Sequence, residues 1–184
     1  MPPAHRASPS AFGRRWRSDP APARTLTGSR RPPDARTAKR VQRLEKEAGV
    51  LPLSVRAFCE VVGAVDLIGR HPILAPARGS VTPDPLVVAG IDELLSEIGA
   101  WEDDDEVLAL APDDLHKANV SGGDPYAIAV PDPKADGVLL NERHELLFVD
   151  YLRLCCRFGG LPGYEAQENP PAEIEGLRRD LLDF

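Results

Sequence analysis

Apolar residues along the chain fall into short stripes divided by Pro and Gly, and their spacing predicts most of the elements. Val41, Leu44 and Ala48 share one face of a helix over about 37–48, and Gly49 stands where a helix ends on a left-handed residue. Leu51-Pro52 separates this from a second helix over about 52–62. There Ala57, Phe58, Val61 and Val62 are expected inward, and Pro52 occupies the first turn, where its missing N–H is harmless. Gly63 closes it. Short apolar runs over 65–68 and 86–89 predict strands, divided by a loop dense in Pro and Gly over 69–85. Ile91, Leu94, Leu95 and Ile98 recur at i, i+3, i+4 and i+7, the mark of an amphipathic helix, which Gly99 ends.

Three more runs, 107–111, 126–130 and 138–140, predict strands, with Pro112, Pro125, Pro131 and Pro133 at their ends, where a missing donor is tolerated. A longer helix over about 142–158 places Phe148, Tyr151, Leu152, Cys155 and Phe158 on one face, with Gly159-Gly160 after it. Asn169, Pro170 and Pro171 open a last helix with the stripe Ile174, Leu177, Leu181 and Leu182. Helices, then strands, then helices, with no repeated βαβ unit, define an α+β class. The expectation is a single domain: a small, mainly antiparallel sheet of about five short strands, packed by N-terminal and C-terminal helices.

Charge divides the chain in a way that the apolar pattern does not. Residues 1–40 hold ten Arg or Lys against Asp19 and Asp34, a balance of +8, whereas residues 41–184 hold twelve basic against 27 acidic side chains, a balance of −15. Residues 1–36 are also rich in Pro and lack apolar periodicity, so they are expected to be a disordered basic tail preceding a folded domain over 37–184. An Arg-rich tail suits a solvated extension, a transit peptide, or an arm on nucleic acid or a membrane surface. With only Phe12 and Trp16 as aromatics, the tail offers little for stacking on single strands, so nucleic acid is the less favoured partner. Apolar runs of only a few residues predict no membrane span, and the opening Met1-Pro2-Pro3-Ala4-His5-Arg6 lacks an apolar signal core. Cys59, Cys155 and Cys156 are an odd set, expected as reduced thiols of a cytoplasmic protein.

The densest chemistry lies between Pro112 and Tyr126. Asp113, Asp114 and His116 have the side chains of a metal or acid/base site, although an Asp just after Pro112 serves equally as a helix or turn cap. Lys117, Asn119 and Ser121-Gly122-Gly123 suggest a phosphate cradle, but the order of Gly-rich loop, Lys and helix is missing, so a tight turn is the better reading. His71 and His144 stand apart from any nucleophile. The run Glu102, Asp103, Asp104, Asp105 and Glu106 follows Trp101 directly. It reads as a solvated loop or as an acidic surface that attracts a basic protein. No catalytic, cofactor or metal set is assigned. The candidate partner-binding residues are Trp101, Glu102, Asp103, Asp104, Asp105, Glu106, Asp113, Asp114, His116, Lys117 and Asn119.

The run Arg43-Leu44-Glu45, Gly49, Leu51-Pro52, Arg56-Ala57-Phe58, Val62-Gly63-Ala64-Val65-Asp66-Leu67 and Gly69 resembles the opening of SUKH superfamily domains. These are bacterial toxin-immunity proteins and eukaryotic cell-wall-assembly regulators. Asp113-Asp114-Leu115-His116-Lys117-Ala118-Asn119, Ser121-Gly122-Gly123, Pro125-Tyr126 and Phe148-Val149-Asp150-Tyr151-Leu152-Arg153 through Phe158-Gly159-Gly160-Leu161-Pro162-Gly163 look like bacterial proteins of the same broad group, so the resemblance covers about 40–184. It implies a non-catalytic protein-binding domain whose partner is a protein, with neutralisation of a toxin as the specific case, and the acidic balance of the folded part suits a basic one. The rival readings are a metal-assisted hydrolase built on Asp113, Asp114 and His116, and a regulatory scaffold domain.

Overall fold

The computed structural model describes residues 29–69, 82–101 and 106–178. α1 (Thr37–Ala48) has the predicted bounds and buries Thr37, Val41, Leu44 and Ala48. α2 (Leu53–Ala57) runs directly into a π-helical turn, Phe58–Val62, which closes when Gly63 N–H donates to the Phe58 carbonyl at 2.9 Å. Its inward stripe is Val55, Phe58 and Cys59, at i, i+3 and i+4, so Ala57 and Val61, expected inward, are exposed instead.

Four of the five expected strands form, and they divide between two antiparallel sheets. β1 (Ser29–Arg31), β2 (Ala64–Asp66) and β3 (Val87–Val88) make one sheet in that order, with Arg30 opposite Val65 and Val65 opposite Val88. β1 lies in the segment expected as disordered tail: residues 29–36 belong to the fold, and the Asp34 carboxylate accepts from Arg36 N–H just before α1. The expected disorder of residues 1–28 falls outside the described residues. β4 (Val107–Ala111) and β5 (Tyr126–Ala129) form the second sheet, and Ala89 N–H joins the two by donating to the Leu110 carbonyl at 2.7 Å. The expected strand over 138–140 contributes isolated bridges only, Ala127 with Leu140 and Val138 with Leu147.

α3 (Ile91–Ile98) also has its predicted bounds, and Arg40 of α1 donates to both Asp92 oxygens at 2.8 Å. After the short α4 (Asp114–Lys117), α5 (Phe148–Arg157) begins six residues later than expected. Asn141 and Glu145 adopt positive φ, and the Glu142 carboxylate accepts from His144 N–H, so residues 141–146 fold into a turn. A 3-10 turn (Pro162–Ala166) and α6 (Ala172–Arg178) follow. Ile174 packs with Leu161 and Tyr164 in a small satellite cluster, Leu177 is partly exposed, and Leu181 and Leu182 lie outside the described residues.

The main core joins both sheets to the helices through Val41, Leu44, Leu94, Leu108, Ile128, Phe148 and Tyr151. Phe58 and Phe148 meet edge to face at 5.5 Å between ring centres. Residues 82–86 have no regular structure, yet they tie distant parts together. Leu86 bonds through its carbonyl to Leu67 N–H and through its N–H to the Gly160 carbonyl, and the Pro83 carbonyl accepts from Gly163 N–H. Among the described residues, no helix is long and apolar enough to cross a membrane.

Candidate functional site

The polar segment between β4 and β5 is organised from within. Asp113 is the N-cap of α4: one carboxylate oxygen accepts from Leu115 N–H at 2.8 Å and His116 N–H at 3.2 Å. Its other oxygen pairs with His116 Nδ1. Gly123 returns the chain against this carboxylate with φ at +86°, and a Cβ there would stand 2.6 Å from Asp113 Cγ. Only glycine allows that approach without strain.

Lys117, on the last turn of α4, faces inward rather than toward the Gly-Gly turn. Its side chain is fully buried, with Nζ 2.6 Å from Asp84 Oδ1 and 3.5 Å from the Tyr151 hydroxyl. The ammonium also stands 4.4 Å from the centre of the Tyr126 ring, whose hydroxyl donates to Asp84 Oδ2 at 3.1 Å. Asp84 is a non-glycine residue at φ +46°, held between Pro83 and Pro85, and the two tyrosines meet edge to face at 6.0 Å. A buried cation is tolerated only when paired and hydrogen-bonded, and Asp84 with the tyrosines meets that need. Burial pushes the hydroxyls of Tyr126 and Tyr151 and the thiol of Cys155 well above their ordinary range.

Asp114 points elsewhere, accepting from the Thr82 hydroxyl at 2.8 Å with an Arg143 guanidinium nitrogen at 4.0 Å. Asp113, Asp114 and His116 therefore do not converge on one point. Among the described residues no three His, Cys, Asp or Glu side chains gather as metal ligands. His144 pairs with Glu165 at 2.8 Å, remote in sequence from this segment, and His71 lies outside the described residues.

With Asp113 and Lys117 turned inward, the outer surface of the segment is left to other residues. Leu115 and Val120 are exposed, and Val120 N–H bonds the Leu115 carbonyl at 2.8 Å, which holds the two side by side along the backbone. Asn119 turns the chain between them at φ +63°. His116 is half-buried beside them, and Asp124 is exposed just beyond. Of the acidic run, Glu106 is exposed at the edge of β4, and Glu102, Asp103, Asp104 and Asp105 lie outside the described residues; Trp101 packs half-buried against the core.

Residue spacing alone does not point to Asp84, Tyr126 and Tyr151 as partners of Lys117. The one available signal was an acid set between two prolines just before an apolar run, an unusual place for a solvated carboxylate. No protein-family model matches the chain, and neither a curated protein nor a solved structure does.

Proposed function

We propose that this chain is a non-catalytic protein-binding domain that engages a basic protein through α4 and the loop after it. The supporting observation is the exposed pair Leu115 and Val120, mounted on a turn anchored inward by Asp113 and Lys117. A short apolar centre on a rigid support loses little entropy on binding, and a polar rim excludes water around it. The balance of −15 over residues 41–184 fits a basic partner, since complementary charge speeds encounter. Within this reading, the sequence likeness to SUKH domains favours an immunity protein that neutralises a toxin. The three free thiols fit a reducing, cytoplasmic setting.

The test uses purified basic proteins encoded beside this gene. Leu115→Asp with Val120→Asp should weaken binding by about 100-fold or more while the melting temperature holds, as for two central contacts. Changing Asp103, Asp104 and Asp105 to Asn should slow association at low salt, and the difference should shrink near ~0.15 M, where the Debye length is about 8 Å. Binding indifferent to both sets of changes refutes the reading. One tightly held divalent ion, lost on replacing Asp113, Asp114 and His116 by Asn, Asn and Gln, would install the hydrolase reading in its place.

A further inference from the structure

The edge of the first sheet is built from different residues and held by different chemistry. β1 supplies no apolar anchor: Arg30 and Arg31 are both exposed residues. Adjacent residues of a strand point to opposite sides, and each arginine finds a different acceptor. Arg30 donates from Nε to the Val62 carbonyl at 3.1 Å and from Nη2 to the Val61 carbonyl at 3.3 Å. Those carbonyls end the α2 helical segment, where acceptors have no partner within the helix and the helix dipole is negative. Arg31 reaches the other way, to Glu93 Oε1 at 2.6 Å in the first turn of α3. Between the two, Gly63 at φ +86° lets the backbone pass directly beneath the Arg31 carbonyl, a space that any Cβ would fill. Asp66 and Asp92 add negative charge around Arg31.

We infer that this edge of β2 is a receptor for an extended peptide with two adjacent arginines, which a protein partner can present in competition with the chain's own Ser29–Arg31. The fit comes from geometry rather than from charge alone. The ladder to β2 fixes the strand direction and register, the helix-end carbonyls take one guanidinium, and the Glu93 carboxylate takes the next. Arginines spaced two apart would point to one side of the strand and satisfy only one of these acceptors. The chain's own segment is tethered to α1 by the short run 32–36, so it holds the site in cis at high effective concentration.

The experiment uses the full chain with Arg30→Ala and Arg31→Ala, together with a labelled peptide of residues 27–34. Fluorescence anisotropy should give saturable one-to-one binding to the variant, and the intact chain should bind about ten-fold or more weakly, because its own strand competes. Adding Glu93→Gln to the variant should weaken the peptide about two- to five-fold, the expected loss for one solvent-exposed ion pair. A peptide with its arginines two apart should bind about ten-fold more weakly than the native order. Absence of saturable binding to the variant, or equal binding of both peptides, overturns the proposal. Hydrogen exchange gives a second reading that does not depend on the peptide. Glu93→Gln alone should speed exchange of the β1 amides, and unchanged protection would mean that the arginine contacts do not hold the strand.

Discussion

Removing the ammonium from the buried cluster is the most direct test of what organises the polar segment. Lys117→Met keeps the length of the side chain and leaves the Asp84 carboxylate, within 2.6 Å of Nζ in the parent, buried with the Tyr126 hydroxyl as its one remaining donor among the described residues. Breaking a buried pair on one side costs about 3–5 kcal/mol, because the remaining charge is uncompensated. The contact of the ammonium with the Tyr126 ring adds to the loss. Against a total stability of about 5–15 kcal/mol, that is a large share of the folding margin. With a urea dependence of about 2 kcal/mol per molar, the midpoint of unfolding should fall by about 2 M. Adding Asp84→Asn removes the stranded charge, keeps an acceptor for Tyr126, and places at φ +46° a residue that tolerates left-handed backbone. It should restore at least half of the loss. A fall of less than about 0.5 M for the single variant, or a double variant less stable than the single, would refute the claim that the pair carries this energy.

Gly123→Ala forces a Cβ to 2.6 Å from Asp113 Cγ at a positive φ, so it should destabilise by about 1–3 kcal/mol and lower the melting temperature by about 2 °C or more. An unchanged melting curve would mean that the turn relaxes away from the carboxylate. Alkaline pH should also weaken the fold. Burial holds Cys59 at about 12 and pushes Cys155, Tyr126 and Tyr151 upward, while in the unfolded chain these groups ionise near 9.0 for thiols and 10.0 for phenols. The native state then binds more protons than the unfolded one. The stabilisation is complete below about pH 9 and declines as pH rises toward the folded values, by up to about 1.4 kcal/mol per pH unit for each group. Urea midpoints that stay level between about pH 8 and 10.5 would contradict the burial of these groups.

α1 and α3 were legible to the residue, because each has a full apolar stripe and a clear stop at Gly49 or Gly99. β1 was not, since Ser29-Arg30-Arg31 has no apolar alternation and is held by side-chain contacts from residues far along the chain. The start of α5 was misplaced for a different reason: residues 142–147 fit a helical period, but side-chain bonding by Glu142 and two positive φ angles favour a turn locally. Within the candidate site, the capping role of Asp113 could be read from its place after Pro112. The inward course of Lys117 could not, because Asp84 is 33 residues earlier and only tertiary packing brings the two together.

The irregular run 82–86 has a consequence for the order in which the chain folds. Its bonds reach back to Leu67 and forward to Asp114, Lys117, Tyr126, Gly160 and Gly163. α1, α2 and α3 are built largely from neighbours in sequence and form quickly, whereas closures of this span are slow. As the protein emerges from the ribosome, Asp84 therefore waits: Lys117 arrives first, and the strap from Leu86 to Gly160 closes only after residue 160 has been made. The surface carrying Leu115 and Val120 therefore acquires its support from Asp84 and Tyr151 only when parts of the chain far apart in sequence have come together.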